Sequence, residues 1–249
     1  MEPLELLFEK SGMPAFALPA ALGRLYPGTL GFADDCLFAN FVESLDGAVA
    51  IPGVPASNKL IADASEPDQF VMALLRACAD VVLVGSGTLH ASPTARWVAE
   101  SAYPAAADAF AELRRTLHLG PEPALAVVTT GRGYGVAFEE LPREPIVLTP
   151  ATKDEAAVDV HAAIDALHER GFRRILCEGG PTLFGSLLEA GLVDELFLTV
   201  SPVVAGRTTA AKVLALVEES RHLPDRRVAA SLLSVRRAAD HLFLRYSFR

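Results

Sequence analysis

Residues 174–200, RILCEGGPTLFGSLLEAGLVDELFLTV, carry the clearest pattern in the chain. Residues 174–178, of which 175–177 are apolar, have the length of a buried strand. Glycine and proline follow at 179–181, and apolar residues then recur at helical spacing as far as Gly191, which ends the helix. A second strand is predicted at 195–200. Because neighbouring strands joined through a helix lie parallel, this segment predicts a βαβ unit of an α/β protein.

The same alternation of strands and helices extends along the rest of the chain. The pattern predicts further strands at 37–42, 81–84, 125–129, 145–149, 228–237 and 241–248, and further helices at 65–80, 105–117 and 156–170. We therefore predict an α/β fold with one mixed, mostly parallel sheet, helices on both faces and an antiparallel C-terminal edge. No linker divides the chain, so residues 32–249 are predicted to form one domain, preceded by an N-terminal arm or cap at 1–31.

The composition of the 249-residue chain disfavours several kinds of partner. Its 22 basic and 31 acidic residues give a net charge of −9, which argues against binding to nucleic acid. No segment has the ~18 uninterrupted apolar residues of a membrane span or the layout of a signal peptide, so we expect a cytoplasmic protein with no membrane partner. Apolar residues make up 51% of the chain, more than one sheet needs to bury, which predicts a homodimer.

The cysteines and histidines form no recognisable site in the sequence. Cys36, Cys78 and Cys177 have no CxxC spacing and lie in apolar surroundings, which predicts free, buried thiols. The six histidines are not paired at metal-ligand spacing, and no G-x-S-x-G nucleophile elbow is present. We therefore expect no metal ion and no hydrolase chemistry.

Two predicted strand ends that contain glycine are candidates for binding an anionic ligand. Gly179 and Gly180 lie where a helix begins, and glycine there lets a phosphate approach the free backbone N–H groups. A tight strand-to-helix turn explains the same glycines without a ligand. The other strand end is that of the predicted strand at 81–84, which Thr88 follows. Glu178 lies at a strand's carboxyl end, where open α/β sheets bind ligands, so its carboxylate accepts hydrogen bonds either from a substrate or from nearby backbone.

Three separated segments together resemble one known family. They are VESLDG at 42–47, LRACADVVLVGSGT at 75–88 and CEGGPTL at 177–183, the last followed by AGLVDEL at 190–196 and SPVVAG at 201–206. In order and spacing the pattern is similar to that of the riboflavin-pathway pyrimidine reductases. The resemblance implies a three-layer, dihydrofolate-reductase-like fold and a homodimer. It also implies an enzyme that uses NADPH to reduce the ribosyl group of a phosphoribosylamino-pyrimidine to a ribityl chain.

The resemblance assigns roles to individual residues by their position. The residues that it places on the phosphorylated pyrimidine are Ser57, Arg76 and Glu178. Arg96 is either the phosphate contact that relatives place slightly later in the chain or a surface arginine. The catalytic candidates are Glu178 and Asp46, although an Asp-Gly turn taken alone has a structural explanation. The residues that it places against NADPH are Glu43, Thr88, Thr130, Gly179, Gly180, Pro181, Thr182, Leu183 and Phe184. Arg132 follows Thr130 closely enough to reach a ribose 2′-phosphate, which predicts a preference for NADPH over NADH.

Several positions depart from the family's pattern. Asn40 stands where many relatives have lysine, Lys59 stands where an aromatic residue often follows the loop serine, and residues 91–93 lack the usual acidic residues before proline. The zinc-deaminase elements His-x-Glu and Pro-Cys-x-x-Cys do not occur, which predicts a stand-alone reductase. The substrate therefore stays open between 5-amino-6-(5-phosphoribosylamino)uracil, its 2,5-diamino pyrimidinone precursor and a different carbonyl, imine or pterin. A non-catalytic nucleotide-binding dimer is the remaining alternative.

Overall fold

The computed structural model describes residues 1–92, 94–131, 141, 143–152, 157–208, 211–220 and 222–249. The strands in these ranges are β1 (Glu5–Glu9), β2 (Cys36–Glu43), β3 (Val81–Gly85), β4 (Ala124–Val128), β5 (Ile146–Leu148), β6 (Arg174–Cys177), β7 (Glu195–Val200), β8 (Ser231–Ala238) and β9 (His241–Ser247). The α-helices are α1 (Ala20–Leu25), α2 (Ser57–Ile61), α3 (Glu66–Cys78), α4 (Ser86–Ala91), α5 (Ala99–Ala102), α6 (Ala107–Thr116), α7 (Val160–Glu169) and α8 (Pro181–Glu189). None of these helices is both long and apolar enough to cross a lipid bilayer.

The strands form one sheet in the order β1-β8-β9-β7-β2-β6-β3-β4-β5. The six strands from β7 to β5 are parallel to one another. Strand β9 pairs antiparallel with β7 and β8, and β1 pairs antiparallel with β8. The predicted α/β class, with a mostly parallel sheet and an antiparallel C-terminal edge, is confirmed.

Helices cover both faces of the sheet because successive strand residues point to opposite sides. One face packs against α3 and α6 through a buried cluster that includes Phe38, Val82, Leu176, Phe70, Leu74, Phe110 and Leu113. The other face packs against α7 and α8 through a second cluster that includes Leu37, Leu83, Ile175, Ile164, Leu167, Phe184 and Leu187. The three layers are therefore helices, sheet and helices.

Helix α3 begins where the sequence pattern predicts and supplies one important side chain. The Ser65 hydroxyl accepts a hydrogen bond from the Asp68 backbone N–H at 3.3 Å, as an N-cap does. The helix buries the apolar side chains of Val71, Leu74, Leu75 and Cys78, which recur at helical spacing. It ends at Ala79, whose extended backbone leads into β3. Arg76, in the last turn, is thereby carried into the buried space between the helix and the sheet.

Two segments differ from the sequence prediction. Residues 85–88, which follow the predicted strand at 81–84 and for which no helix is predicted, form the last residue of β3 and the first turn of α4, because the extended backbone of Gly85 leads directly into helix. Helix α7 begins at Val160, where Asp159 accepts hydrogen bonds from the N–H groups of His161 and Ala162. Its predicted start at 156 lies outside the described residues.

Residues 1–31 contribute both to the sheet and to the core. Strand β1, which the sequence pattern did not predict, pairs with β8, and Leu22 is fully buried in the cluster beneath α3. Arg236 of β8 is 1% exposed, and its Nη2 donates to Glu9 Oε2 at 2.9 Å. Its guanidinium carbon lies 3.8 Å from the centre of the Tyr26 ring, a cation–π contact. These contacts tie the segment to the antiparallel edge. The division into an arm at 1–31 and a domain at 32–249 stays a prediction.

Candidate active site

The carboxyl ends of the parallel strands lie along one edge of the sheet, which is where open α/β sheets bind their ligands. Strands β2, β3, β4 and β6 end there, and the residues that follow them include Asp46, Thr88, Thr130 and Glu178. The fold therefore gathers along one edge most of the residues that the sequence assigned to substrate and cofactor.

Arg76 and Glu178 form a buried ion pair. Arg76 Nε donates to Glu178 Oε1 at 3.0 Å and to Oε2 at 3.1 Å, and Nη2 donates to Oε2 at 2.6 Å. The two side chains are 7% and 6% exposed. Two nitrogens on one carboxylate fix both its position and its plane, which a lysine cannot do. The structure thus brings together two residues that the sequence had assigned separately to the substrate.

The remaining contacts of Arg76 come from the segment after α4. Its Nη1 donates weakly to the backbone carbonyls of Arg96 and Val98, at 3.5 and 3.4 Å. Its guanidinium carbon lies 5.3 Å from the centre of the Trp97 ring, a cation–π contact. Arg76 is therefore held on several sides by groups of the protein.

The Arg96 side chain points away from this pair. It lies 3.8 Å from Glu100 and 3.4 Å from Glu122, and it is 51% exposed. Arg143 also pairs with Glu122, so two guanidinium groups converge on one carboxylate. These side chains border a cleft of about 230 Å³ whose lining is Ala95, Arg96, Trp97, Val98, Glu122, Pro123, Leu125, Leu141 and Arg143. The indole Nε1 of Trp97 is buried there without a hydrogen-bond partner in the part of the chain that the structure describes.

The glycine turn before α8 packs closely against the end of β3. A Cβ atom on Gly180 would lie 3.2 Å from Thr88 Oγ1, and one on Gly179 would lie 3.3 Å from the backbone nitrogen of Gly85. Gly180 is the N-cap of α8, and no side chain among the described residues caps the helix. The side chains of Leu183 and Phe184 are buried in the core, so only their backbone can face a ligand. The turn brings Thr88 beside the free N–H groups of the helix start.

Two further predicted residues, Thr130 and Arg132, follow β4 in the sequence. Thr130 follows this strand, and the Thr129 hydroxyl accepts a hydrogen bond from the Gly131 N–H at 3.0 Å in a turn where Gly131 has a φ of +70°. This left-handed conformation suits glycine. Arg132 lies outside the described residues, so its predicted contact with a 2′-phosphate stays a prediction.

Asp46 and Ser57 are both engaged by neighbouring protein groups. The Asp46 carboxylate accepts from the Ser44 hydroxyl at 2.6 Å and from the N–H groups of Ala205 and Gly206 at 2.9 and 2.8 Å. The Ser44 hydrogen bond, followed by the two backbone bonds, lowers the pKa of Asp46 to about 2. Ser57 is buried, and its hydroxyl accepts from the Ile51 N–H at 3.0 Å. Both residues fix loops at the carboxyl edge.

Two carboxyl groups near the site carry raised pKa values. Burial raises the pKa of Glu43, which has no ion-pair partner among the described residues. Burial also raises the pKa of Asp68 to about 6, and Glu178 adds to the rise. Sequence reasoning missed Asp68 because its place in the first turn of α3 is explained by helix capping. Trp97, the only tryptophan in the chain, was likewise not singled out.

Comparison with known proteins identifies the family. The model of the RibD C-terminal domain matches residues 36–236. The 2,5-diamino-6-ribosylamino-4(3H)-pyrimidinone 5′-phosphate reductase of Archaeoglobus fulgidus is 30% identical over 186 residues, which cover 68% of this chain and 81% of that protein. The riboflavin biosynthesis protein RibD of Mycobacterium tuberculosis is 30% identical over 173 residues, covering 67% of this chain and 42% of that protein.

Solved structures show the same fold. A pyrimidine reductase-like protein from Corynebacterium diphtheriae superimposes with a TM-score of 0.63 at 20% identity, covering 93% of this chain and 95% of that one. The deaminase/reductase of Thermotoga maritima gives a TM-score of 0.57 at 18% identity and covers 86% of this chain and 56% of that one. The predicted resemblance to pyrimidine reductases, and with it the prediction of a reductase, is confirmed. Because the matched residues run from β2 into β8 and include the whole carboxyl edge, the chain belongs to the RibD C-terminal domain family.

Proposed function

We propose that the protein uses NADPH to reduce the ribosyl group of 5-amino-6-(5-phosphoribosylamino)uracil, or of its 2,5-diamino pyrimidinone precursor, to a ribityl chain in riboflavin biosynthesis. Family membership and the name of the Archaeoglobus relative support the reaction. The observation that carries the proposal is the Glu178 carboxylate, which Arg76 holds rigidly beside the glycine turn of α8.

The turn between β6 and α8 fits the phosphates of a dinucleotide. Glycine at 179 and 180 keeps the backbone accessible where a Cβ atom would crowd Leu183 or Thr88. The uncapped N–H groups of Thr182 and Leu183 and the partial positive charge of the helix start favour an anion there. We assign the phosphates to this turn and to the Thr88 hydroxyl, and the adenosine end to the turn after Thr130. When it is bound, NADPH supplies the hydride.

The phosphate of the substrate needs a cation that is not already committed to the protein. Arg76 is committed to Glu178 and to backbone carbonyls. Arg96 is half exposed, and its pairs with Glu100 and Glu122 are surface pairs of the kind that contribute at most about 1 kcal/mol. We therefore assign the substrate phosphate to Arg96, with the cleft that it shares with Arg143 as the place for the phosphate.

Glu178 is assigned to the sugar. Its carboxylate accepts hydrogen bonds from ribosyl hydroxyls and so fixes the sugar carbon that is reduced relative to the glycine turn. Arg76 keeps this carboxylate from rotating. Asp46 acts at a distance, because it holds the backbone at 205–206 against the turn after β2. We assign the proton that completes the reduction to solvent.

The proposal also covers the oligomeric state of the protein and its location in the cell. The three consecutive apolar residues of the edge strand β1, Leu6, Leu7 and Phe8, are 38–49% exposed, which supports a homodimer. We propose a cytoplasmic homodimer on this basis and on the family resemblance.

The test is consumption of NADPH by the purified protein with each of the two pyrimidines, followed by absorbance. We expect turnover with one of them and a large loss of turnover in Glu178→Gln at unchanged NADPH affinity. Turnover only with an unrelated carbonyl, imine or pterin would show that the substrate is a compound of that class and not one of the two pyrimidines. NADPH binding without turnover of any of these compounds would favour the non-catalytic alternative that the departures at Asn40 and Lys59 leave open.

A further inference from the structure

Arg114 of α6 is a buried arginine that binds the end of α3. The residue is 4% exposed, and its Nη1 donates to the backbone carbonyl oxygens of Arg76, Ala77 and Ala79 at 3.2, 3.3 and 2.8 Å. Its Nε donates to the Gly120 carbonyl oxygen at 2.7 Å. One guanidinium therefore joins the last turn of α3 to the loop that leads into β4.

The end of α3 depends on a donor from another element. The last carbonyl groups of a helix have no partner within it, and a left-handed glycine often supplies one. Here Ala79 is extended and leads directly towards β3, and its N–H bonds to the Arg76 carbonyl at 3.2 Å. Ala77 and Ala79 are fully buried, so water cannot take the place of the guanidinium. Loss of Arg114 would leave buried carbonyl groups short of donors, and the turn would change shape to satisfy them.

The turn that Arg114 holds is the turn that carries Arg76. The Arg76 carbonyl oxygen is itself one of the acceptors, and the Arg76 side chain reaches Glu178 Oε2 at 2.6 Å. Two nitrogens on one carboxylate set both a distance and a plane. A change in the shape of the turn therefore displaces the guanidinium of Arg76 from the geometry in which it holds Glu178.

The residue after this turn fixes the strand that leads to Glu178. Asp80 Oδ2 accepts hydrogen bonds from the backbone N–H groups of residues 173 and 174 at 2.9 and 2.7 Å. Strand β6 is four residues long and begins there, and Glu178 follows it directly. The backbone of each partner of the ion pair is thus anchored near this junction, that of Glu178 by Asp80 and that of Arg76 by Arg114.

We propose that Arg114 is a positioning residue of the reductase site, which fixes the last turn of α3 so that Arg76 holds Glu178 in its working orientation. Arg114 acts through the backbone of Arg76 and touches no ligand. The expected effect on turnover rests on the proposed function, whereas the expected effect on the placement of Arg76 does not.

Trp97 provides a measurement that needs no substrate. It is the only tryptophan of the chain, and the Arg76 guanidinium carbon lies 5.3 Å from the centre of its ring. A cation over the indole face perturbs the ring electrostatically, so its displacement shifts the emission. Arg114→Lys replaces a planar fork by a point charge, which cannot serve the α3 carbonyls and the Gly120 carbonyl together. We expect a shifted emission in Arg114→Lys and a larger shift in Arg114→Met.

Arg236 offers a matched control with the same chemistry at another place. It is 1% exposed and donates to the backbone carbonyl oxygens of Pro27 and Thr29, on the antiparallel side of the sheet. Arg236→Lys should lower the stability of the protein and leave the Trp97 emission unchanged. A shift in Arg114→Lys that is absent from Arg236→Lys separates displacement of Arg76 from a general loss of stability.

A second background tests whether the effect passes through Arg76. The double variant Arg76→Met/Glu178→Gln has no cation over the indole and no unpaired carboxylate beneath it. If Arg114 acts on Trp97 by way of Arg76, the addition of Arg114→Lys to this background should no longer shift the emission.

Steady-state kinetics on the same variants test the link to catalysis. Arg114→Lys should lower kcat/KM for the pyrimidine about tenfold, since small misplacements of a positioned group have effects of this order or larger. KM for NADPH should stay unchanged. Arg236→Lys should keep the kcat/KM of the wild type per folded molecule, as a purely structural role predicts for both arginines.

The outcomes for Arg114 and for the proposed function are distinguishable. Wild-type emission in folded Arg114→Lys would overturn the positioning role, whatever the activity, and this variant alone decides if Arg114→Met does not fold. A shift that persists in the Arg76→Met/Glu178→Gln background would overturn it as well, and so would unaltered kcat/KM in an active Arg114→Lys variant. The expected shifts in a protein that turns over neither pyrimidine would support the placement of Arg76 by Arg114 and contradict the proposed substrate.

Discussion

The guanidinium of Arg76 donates hydrogen bonds to the carboxylate of Glu178 through two nitrogens. The shortest of the three contacts is 2.6 Å, from Nη2 to Oε2. Both side chains are shielded from solvent. Removing one partner of such a pair leaves the other charge buried without compensation, which destabilises a protein more than the pair itself stabilises it. The two residues therefore act as one unit, and a substitution of either alters both the fold and the site.

Glu178→Gln should accordingly lower the free energy of unfolding by about 3 kcal/mol in addition to its effect on turnover. A double-mutant cycle with Arg76→Met measures the coupling. Because Arg76→Met removes the charge that Glu178→Gln would leave unpaired, the double variant should be more stable than the sum of the single losses predicts, by about 2 kcal/mol. Denaturation by urea gives the four free energies.

Arg96→Met is the matched control for this cycle, since its ion pairs are exposed and should change stability by no more than about 0.5 kcal/mol. Additive losses for Arg76 and Glu178 would contradict the coupling.

Gly180→Ala should weaken NADPH binding about tenfold or more at little cost in stability. The new methyl group would lie 3.2 Å from Thr88 Oγ1, in the space through which a phosphate reaches the start of α8. Gly87→Ala is the control, because a Cβ there meets nothing within 4 Å. Isothermal titration of both variants checks the prediction, and equal affinities would remove the glycine turn from the cofactor site.

Arg132→Ala should weaken NADPH binding by about 1–3 kcal/mol, the range for losing a charge-assisted hydrogen bond, and should leave NADH binding unchanged. This prediction rests on the position of Arg132, which comes two residues after Thr130 in the sequence. Fluorescence titration with both nucleotides measures it, with Arg115→Ala on the exposed side of α6 as the control. If the wild type binds NADH and NADPH equally, the role of Arg132 is wrong.

Asp68→Asn should change how stability depends on pH. The folded-state pKa of about 6 lies above the ordinary 3.8, so the folded protein holds the proton more tightly than the unfolded chain. The stability of the wild type relative to the variant therefore falls as pH rises from 3.8 to about 6, by about 3 kcal/mol at most, and is level above that range. Thermal melting of both proteins across this range tests the sign. A wild type that gains stability relative to the variant over the same interval would contradict it.

The purified protein should be a dimer at micromolar concentration, with a mass near twice the 26.4 kDa of the chain. Light scattering behind a sizing column measures the mass. Leu7→Lys adds a charge to the exposed edge strand β1 and should produce monomer if that strand lies in the interface. A wild-type mass of one chain would remove the dimer from the proposal.

Local patterns were sufficient for much of the fold. The apolar runs at 81–84 and 195–200 and the apolar stripe of α3 predicted their elements to within a few residues, because burial of a strand or a helix face leaves a periodic trace in the sequence. The strand–helix–strand pattern at 174–200 predicted the parallel arrangement of β6 and β7, which lie on either side of β2. The spacing of the three motifs was also enough to identify the family.

What the sequence alone could not determine is which side chain meets which. Strand β1 has no alternation of its own, and it is a strand because β8 offers it an edge. Arg76 and Glu178 were each recognised as site residues, but nothing local indicates that one is the other's partner. Asp68 looked like part of a helix cap until the fold placed Thr199 and His241 against it. The hydrophobic periodicity of the sequence indicates which residues are buried. Pairing between charges depends on contacts between residues far apart in the chain, and only the tertiary structure decides those contacts.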